Sequence, residues 1–464
     1  MSRKNLQHIT LKTAESATKN LQDNVKFSSG DHTIKSVYSK TDLEHVNHLN
    51  FAAGMPPYLR GISSTMYVTS PWDTHLHTTL TSTDNFNCFL KDRFTAGQRE
   101  FLLEISTKNE FTPETLDDFK ALFKDIPLQD ISFYFNTNTC ILPLLAFFIT
   151  TAESQNLKLA FLKGGYNIDA ITNLNTLKTT KNSSLEALVF SNTYLPLFNR
   201  ISISTASLQN QIFNPEIELA ILLICGNNQI EKGLDYGLKI DDIATRLSFS
   251  FSIGLHYFSE IAKLRAARML WAKIVKSYEP KNDTSLALHI KSLTNTNTLP
   301  NADIYSSVTK STIKAASAIF GGSQSLETHT NRNSSPELER LDHNIQWYLK
   351  EETKITKTVD PWAGSFYVEK QTHDIAIKAW GIFEIYKETG TFSEAIQTEL
   401  NKLKTDNSQK NSTITKTDCD NTIAKTHLLN ITKAVKQNTS NVLELTIEAV
   451  KNGASFIEIY KVLN

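Results

Sequence analysis

The feature that most constrains the fold is an alternation of short strand-like runs with helical stretches between about residues 57 and 395. The runs are rich in β-branched and aromatic residues and nearly continuous in apolar side chains, which is typical of strands buried in a parallel sheet. They predict strands at 131–136, 157–162, 187–191, 200–204 and 287–292. Such alternation predicts an α/β protein, and both a barrel and a doubly wound sheet fit it.

Helical stretches lie between these runs. Asn214 is a suitable N-cap for a helix that starts at Pro215, because proline is well tolerated at the first helical position. A glycine pair, Gly321-Gly322, is expected to end the last of these helices. Helices are predicted at 143–153, 215–225, 253–275 and 308–320.

The 253–275 helix has the clearest period. Its apolar side chains form one stripe, as on a helix that packs against a core. Lys263, Arg265 and Arg268 are expected on the opposite, solvated face.

The two ends of the chain differ from this central region. Residues 1–56 are polar and predict an N-terminal arm, and residues 57–395 predict the main domain. Residues 396–464 contain a polar linker at 402–424 and two short helices at 440–464, with Ser440 as a cap and Gly453 as a break.

Composition excludes several classes of protein. Lys+Arg and Asp+Glu both number 48, so no basic excess indicates nucleic-acid binding. No apolar run approaches the ~18 residues of a membrane span, and the first residues lack the apolar stretch of a secretory signal. Four scattered cysteines without a C-x-x-C motif fit reduced thiols in a cytoplasmic protein: Cys88, Cys140, Cys225 and Cys419.

Local motifs leave the function open. The pair His75 and His77 would share one face of a strand, but without carboxylate or thiolate support a structural role is favoured over a metal site. Gly164-Gly165 and Gly321-Gly322 would allow close backbone approach to a ligand, although a turn is the simpler interpretation. No phosphate-binding loop, dinucleotide motif or zinc-protease motif is present.

Three longer stretches carry more information: PYLRGISSTMYVTSPW at 57–72, EIAKLRAARMLWAKIV at 260–275 and DPWAGSFYVE at 360–369. The first resembles the opening of the methylmalonyl-CoA mutase barrel, and the other two resemble that family in long matches in the family order. Shorter matches lie between them. These are TAGQ at 95–98, SISTASLQNQIFNPEIELA at 202–220, GLDYG at 233–237, RLSF at 246–249 and IFGGSQSL at 319–326.

This resemblance implies a (β/α)8 TIM barrel, here with an N-terminal arm and a C-terminal helical extension. It also implies adenosylcobalamin chemistry that interconverts succinyl-CoA and (R)-methylmalonyl-CoA. The family's cobalt ligand is the His of a D-x-H-x-x-G motif, and the nearest match, Asp73-Thr74-His75, lacks the glycine. We therefore expect no cobalt ligand from this chain and adenosylcobalamin on a partner chain.

The resemblance further implies that the catalytic groups are replaced. His77 stands where the active chain has a Tyr beside the substrate. Ala206-Ser207 stands in place of a Tyr-His pair whose His donates to the thioester carbonyl. Leu293 lies where the active strand carries polar groups, in Lys291-Ser292-Leu293. Losing several such groups together removes a preorganised site.

Among the other positions that the resemblance assigns to substrate binding, some residues are replaced and some are kept. Ser70 and Asp73 replace an Arg and a Thr that grip the substrate, and Asn167 replaces a Gln. Arg246 and Ser248 are kept and are the candidate substrate-binding residues.

Three hypotheses follow. In the first, the chain is the non-catalytic small subunit of a heterodimer with a catalytic large subunit. In the second, it is an active acyl-CoA mutase barrel that works with a separate cobalamin-binding chain. In the third, it is a CoA-binding or regulatory barrel. The family threads pantetheine through the barrel centre, and Phe133, Phe135 or Tyr166 could fill that space.

Overall fold

Eight parallel strands close into a barrel surrounded by helices, which confirms the (β/α)8 fold class. The computed structural model describes residues 26–29, 32–79, 82–104, 112–136, 140–170, 174, 183–206, 214–294, 303–330, 336–394, 396–398, 400, 422–437 and 441–463.

The described residues contain ten strands, and the last eight of them follow one another around the barrel in chain order. They are β1 (Lys26–Ser29), β2 (His32–Lys35), β3 (Asp73–Thr79), β4 (Glu100–Glu104), β5 (Ser132–Asn136), β6 (Lys163–Asp169), β7 (Phe198–Ser204), β8 (Leu247–Ser252), β9 (His289–Thr294) and β10 (Ser325–Thr328). β10 pairs with both β9 and β3 and so closes the barrel, while β1 and β2 form a separate antiparallel hairpin.

The helices cover the outside of the barrel and continue past it. They are α1 (Thr83–Thr95), α2 (Leu116–Leu122), α3 (Leu142–Ser154), α4 (Ser183–Tyr194), α5 (Pro215–Asp235), α6 (Ile240–Ala244), α7 (Tyr257–Lys276), α8 (Ile304–Phe320), α9 (Pro336–Glu351), α10 (Phe366–Thr389), α11 (Thr422–Gln437), α12 (Val442–Lys451) and α13 (Phe456–Leu463). Within the described ranges, none of them combines the length and apolarity needed to cross a bilayer.

Most predicted elements are confirmed. The strands predicted at 131–136, 200–204 and 287–292 correspond to β5, β7 and β9, and the four predicted helices to α3, α5, α7 and α8. The Asn214 side chain accepts a hydrogen bond from the Glu216 N–H at the start of α5, with Pro215 in the first turn. Gly321 caps the end of α8, as expected from the glycine pair.

Two predicted strands are wrong. Residues 187–191 lie inside α4, where Leu185 and Leu188 are buried three residues apart, as on one face of a helix. Residues 157–162 include a short 3-10 turn, and the strand begins directly after it, at Lys163. A five-residue apolar run does not distinguish a buried helix from a buried strand.

The glycine pair Gly164-Gly165 lies within β6 and not in a turn. A Cβ atom on Gly164 would lie 1.9 Å from the Phe133 carbonyl oxygen, and one on Gly165 would lie 1.9 Å from that of Arg200. The close backbone approach is therefore to the two neighbouring strands.

The predicted C-terminal helices correspond to α12 and α13, and Gly453 lies between them in the left-handed region with φ +86°. Ser440 lies outside the described residues, as does the predicted linker up to residue 421. The Phe456 ring of α13 stacks on Phe119 of α2 at 6.3 Å, which attaches these helices to the outer face of the barrel.

The prediction that Lys263, Arg265 and Arg268 face solvent is wrong, because α7 is covered on both sides. The three residues are only 1%, 0% and 1% exposed. Lys263 lies between two carboxylates, with its Nζ 2.6 Å from both Glu218 and Glu260.

Arg265 joins two segments that are distant in sequence. One guanidinium nitrogen pairs with Asp360 in the loop before α10, and the other lies 2.7 Å from the Glu369 carboxylate on α10. Arg60 also pairs with Asp360, and His48 pairs with Glu369 at 2.9 Å. This set of five residues, here called the arginine clamp, fixes the N-terminal segment, α7 and α10 to one another.

The charges of the clamp depend on one another. Burial alone would raise the pKa of Glu369, but the hydrogen bond from His48, the charge of Arg265 and the Gly364 N–H together lower it to about 2. The ionised carboxylate is therefore strongly favoured in the folded chain.

The clamp predicts a pH-dependent stability. Because an unfolded Glu titrates near ~4.3, the folded state loses the contribution of Glu369 as the pH falls from about 5 towards 2. At neutral pH, Glu369→Gln should lower the free energy of unfolding by about 3–5 kcal/mol, since it leaves Arg265 with one carboxylate fewer.

The measurement is urea unfolding of both proteins between pH 7 and pH 4. The difference between them should shrink by roughly half a kcal/mol at pH 4. Glu388→Gln, at an exposed position of the same helix, is the control and should change stability by less than ~0.5 kcal/mol. A difference that stays constant with pH would contradict the assigned role.

Candidate functional site

The barrel strands alternate between an apolar outer face and a polar inner face. In β8, Leu247, Phe249 and Phe251 are buried, and the Phe249 ring packs at 5.0 Å against Trp271 of α7. Because alternate residues point to opposite faces of a strand, Ser248 and Ser250 face the barrel interior. The interior is consequently lined by polar side chains.

Tyr134 of β5 and Arg200 of β7 meet inside the barrel across β6. They occupy one register row with Gly165 of β6 between them. Because Gly165 has no side chain, nothing on β6 separates the side chains of Tyr134 and Arg200, and the charge of Arg200 acts on the Tyr134 hydroxyl. Burial raises the pKa of Tyr134, so the phenol stays protonated.

His75 of β3 and Glu100 of β4 form a second contact in the same region. The His75 Nε2 lies 2.8 Å from the Glu100 carboxylate, and the His75 ring lies 4.5 Å from that of Tyr134. Burial would raise the pKa of Glu100, but the hydrogen bond from His75 and the charges of His75, Arg200 and Lys291 lower it.

His289 of β9 lies in the same barrel interior as Arg200 and His75. Burial lowers its pKa well below the usual value, and the positive charges of Arg200 and His75 lower it further. His289 pairs in register with Ser248, so its side chain faces the same interior, although β9 is adjacent to neither β7 nor β3. We call His75, Glu100, Tyr134, Arg200 and His289 the interior cluster.

A buried ion pair lies beside this cluster. The Lys291 Nζ of β9 is 2.9 Å from the Glu327 carboxylate of β10, and both side chains are at most 5% exposed. The second oxygen of Glu327 lies 2.7 Å from the His329 ring. Glu100 and His289 are the first residues of their strands, so the charged groups concentrate in the N-terminal half of the barrel.

The expectation that Phe133, Phe135 or Tyr166 fills the interior is wrong. The Phe133 and Phe135 rings pack against Phe148 of α3, at 5.7 and 5.1 Å, and therefore face the helices. Tyr166 is opposite Phe135 in the strand register and lies on the same outer face. The residue of β5 that occupies the interior is Tyr134, which lies between Phe133 and Phe135.

The C-terminal half of the interior carries small polar side chains. Ser202 and Ser204 of β7 and Ser250 of β8 are at most 5% exposed. Within the described part of the chain, the hydroxyls of Ser202 and Ser250 and the Asn167 carbonyl oxygen have no hydrogen-bond partner. Such atoms are available to water or to a polar ligand.

Three of the predicted catalytic positions can be placed at least in part. His77 belongs to β3 and pairs in register with Leu102, while its side chain lies outside the described part. Ala206 follows β7, and its N–H donates to the Ser204 hydroxyl at 3.2 Å. Leu293 lies near the end of β9 and is 9% exposed. Ser207 lies outside the described residues.

The predicted substrate-binding residues lie elsewhere along the barrel. Arg246 directly precedes β8, near the N-terminal end, and faces Asp242 and Tyr166; burial lowers its pKa. The Ser248 hydroxyl donates to the Ile201 carbonyl at 3.3 Å. Arg246 is opposite Arg200 in register, six residues before Ala206, or roughly 20 Å of strand. The structure therefore does not bring Arg246 together with Ala206 and Leu293.

The His75/His77 pair was also a weak metal candidate. In the structure, His75 is 3% exposed and is paired with Glu100 inside the barrel. Among the described residues, no group of three or more His, Cys, Asp or Glu side chains is arranged to hold a metal ion.

Sequence reasoning missed the interior cluster, although a signal was present. Arg200, Ser202 and Ser204 alternate with Ile201 and Ile203 at a period of two. A charged residue on the polar face of such a strand indicates an interior position in a barrel.

Comparisons with known proteins agree with the motifs. The sequence profile described as methylmalonyl-CoA mutase matches residues 28–109 and 111–415. The chain is 34% identical over 400 residues to the methylmalonyl-CoA mutase large subunit of Porphyromonas gingivalis, covering 80% of this chain and 56% of that protein. It is 31% identical to the large subunit of Propionibacterium freudenreichii subsp. shermanii, over 80% of this chain and 55% of that one.

A third relative is the mitochondrial methylmalonyl-CoA mutase of Bos taurus, 32% identical over 83% of this chain and 55% of that protein. The chain thus spans about half the length of the curated relatives it matches.

The buried ion pair Lys291–Glu327 predicts a large effect of a single substitution. Lys291→Met should lower the free energy of unfolding by about 3–5 kcal/mol, because Glu327 loses its buried ammonium partner. Lys91→Met, which breaks an exposed pair with Asp125, should cost at most about 1 kcal/mol. Urea unfolding measures both, and equal losses would contradict the buried position of Lys291.

Proposed function

Because the chain belongs to the methylmalonyl-CoA mutase family, we propose that it is the non-catalytic small subunit of an adenosylcobalamin-dependent mutase. The catalytic large subunit is its partner in a heterodimer, and the complex interconverts succinyl-CoA and (R)-methylmalonyl-CoA. The observation that carries this proposal is the interior cluster, which occupies the centre of the barrel.

The interior cluster occupies the space that a threaded substrate would need. The resemblance implies that pantetheine passes through the barrel centre, where Tyr134 and Arg200 meet in this chain. Displacing Arg200 would also remove a positive charge that lowers the pKa of Glu100, the partner of His75. Disrupting these contacts would cost free energy, so the cluster favours an interior closed to the thioester.

The C-terminal end of the barrel, where TIM-barrel enzymes hold their catalytic groups, supports the same role. Neither the Ala206 nor the Leu293 side chain can donate a hydrogen bond to a thioester carbonyl. The kept hydroxyl of Ser248 already donates to the β7 backbone.

We place the adenosylcobalamin on the partner chain. The stretch that comes nearest to the family's cobalt-binding motif contains His75, and that side chain is buried in the barrel on Glu100. The described residues therefore do not fit a cobalt site, and no step of the reaction is assigned to them.

The remaining role is assembly. Obligate dimers bury about 2,000 Å² or more, and a rigid barrel can supply such a surface without a catalytic site. A cytoplasmic location is part of the proposal, and it is supported by the free thiols of Cys88 and Cys225.

One observation favours a second candidate, an active acyl-CoA mutase barrel that works with a separate cobalamin-binding chain. Ser202, Ser250 and Asn167 present unpartnered polar atoms in the described part of the interior. A thioester that entered from the C-terminal end would meet these atoms first.

The first prediction concerns assembly. The purified chain mixed with the large mutase subunit of the same organism should give a 1:1 complex, measured by light scattering, because the proposed interface is obligate. A chain that remains apart from the large subunit at micromolar concentration would contradict the small-subunit role.

The second prediction concerns turnover. Removing one donor to a developing oxyanion typically costs about 10²–10³ in rate, so the chain with adenosylcobalamin should turn over succinyl-CoA at least a hundredfold more slowly than the complex. The large subunit assayed alone is the control. Turnover that appears when a separate cobalamin-binding protein is added to the chain would favour the second candidate.

A further inference from the structure

A cavity of about 760 Å³ lies outside the barrel, between α7, α10 and residues 47–57 of the N-terminal segment. Its volume falls within the ~300–1,000 Å³ that is usual for small-molecule sites. No residue of the interior cluster lines it. The cavity is therefore a separate feature from the candidate functional site.

The cavity exists because two helices carry small residues where they face each other. Ala272 on α7 and Ala376 and Gly381 on α10 leave space between the helices. The remaining wall is mostly apolar, with Leu286 and Phe51 among its residues. Such a wall favours an apolar ligand body.

Two lysines on α7, Lys273 and Lys276, supply the cations of this lining, and both are exposed. The Lys273 Nζ lies 3.7 Å from the centroid of the Trp380 ring. In the described part of the chain, neither ammonium group forms an ion pair or hydrogen bond.

Glu384 is the acidic residue of the lining, and its carboxylate accepts a hydrogen bond. The Trp380 indole N–H donates to its carboxylate at 2.5 Å. A hydrogen bond from the neutral indole leaves the negative charge of Glu384 in place, but Lys273 and Lys276 outnumber it, so the net positive charge of these groups complements an anionic head group.

We propose that this cavity binds a linear carboxylate amphiphile, that is, a fatty acid. The alkyl chain packs between Ala272, Ala376 and Leu286, and the carboxylate pairs with Lys273 and Lys276. The proposal does not depend on the subunit role of the barrel, since it uses none of the interior residues.

Calorimetric titration of the purified chain with dodecanoate, below its micellar concentration, tests this site. One dodecanoate should bind per chain. Octanoate should bind at least tenfold more weakly, because each buried methylene is worth roughly a fourfold gain in affinity. Dodecyltrimethylammonium, which has the same chain and the opposite charge, should also bind at least tenfold more weakly.

Matched variants separate the site from non-specific binding. Ile377→Trp places bulk in the cavity from an exposed position and should weaken dodecanoate binding at least tenfold. Ile385→Trp, exposed on the same helix but outside the lining, should leave binding unchanged. The double variant Lys273→Glu/Lys276→Glu should weaken binding, whereas Lys310→Glu on α8 should not.

Three results would overturn the proposal. The first is no dodecanoate binding by a folded chain. The second is equal binding by wild type and Ile377→Trp. The third is self-association of the wild-type chain that Ile377→Trp abolishes in light scattering, since a second copy would then cover the cavity.

Discussion

The burial of Arg265 between two carboxylates is the interaction on which the arrangement of the outer layer depends. Asp360 and Glu369 lie about a hundred residues further along the chain, and Arg60 and His48 bring in the N-terminal segment. A buried guanidinium is tolerated only when its charge and its donors are matched, so these segments must meet in one geometry. This requirement explains why the stretches that resemble the family most strongly, around 260–275 and 360–369, carry structural residues.

A second set of charged and polar side chains determines how much space is left in the barrel interior. Serine side chains in the C-terminal half leave the strands polar on the inside, while Tyr134 and Arg200 meet across Gly165 in the N-terminal half. The absence of a side chain on Gly165 is what permits this contact. The same fold can thus enclose a substrate or enclose its own side chains, depending on a few interior positions.

The alternation of strands and helices was sufficient for an α/β protein, and the family resemblance implied the barrel. Elements with clear caps, such as the helix that starts at Pro215, were also predicted. Sequence reasoning failed for residues 187–191, because a short apolar run has no period that separates a strand from a helix. It failed for Arg265 and Arg268, because a charged stripe is solvated unless another segment covers it. Arg265 is covered by α10, about a hundred residues further along the chain, and Arg268 binds the Leu59 carbonyl, about two hundred residues earlier.

The candidate site was less predictable. The replaced positions could be named from the resemblance, but Arg246 and Ala206 lie at different heights in the barrel, which depends on strand register. The interior cluster joins β3, β4, β5, β7 and β9, and no local pattern contains that information. The alternation in β7 indicated which residues face inward, but not which of them meet.

The central claim is that the interior cluster closes the barrel to a CoA thioester. Calorimetric titration of the isolated chain with succinyl-CoA tests it most directly. No saturable binding is expected up to millimolar thioester, with the chain still folded. Stoichiometric binding at micromolar concentration would contradict it and would identify the barrel as a substrate-binding site.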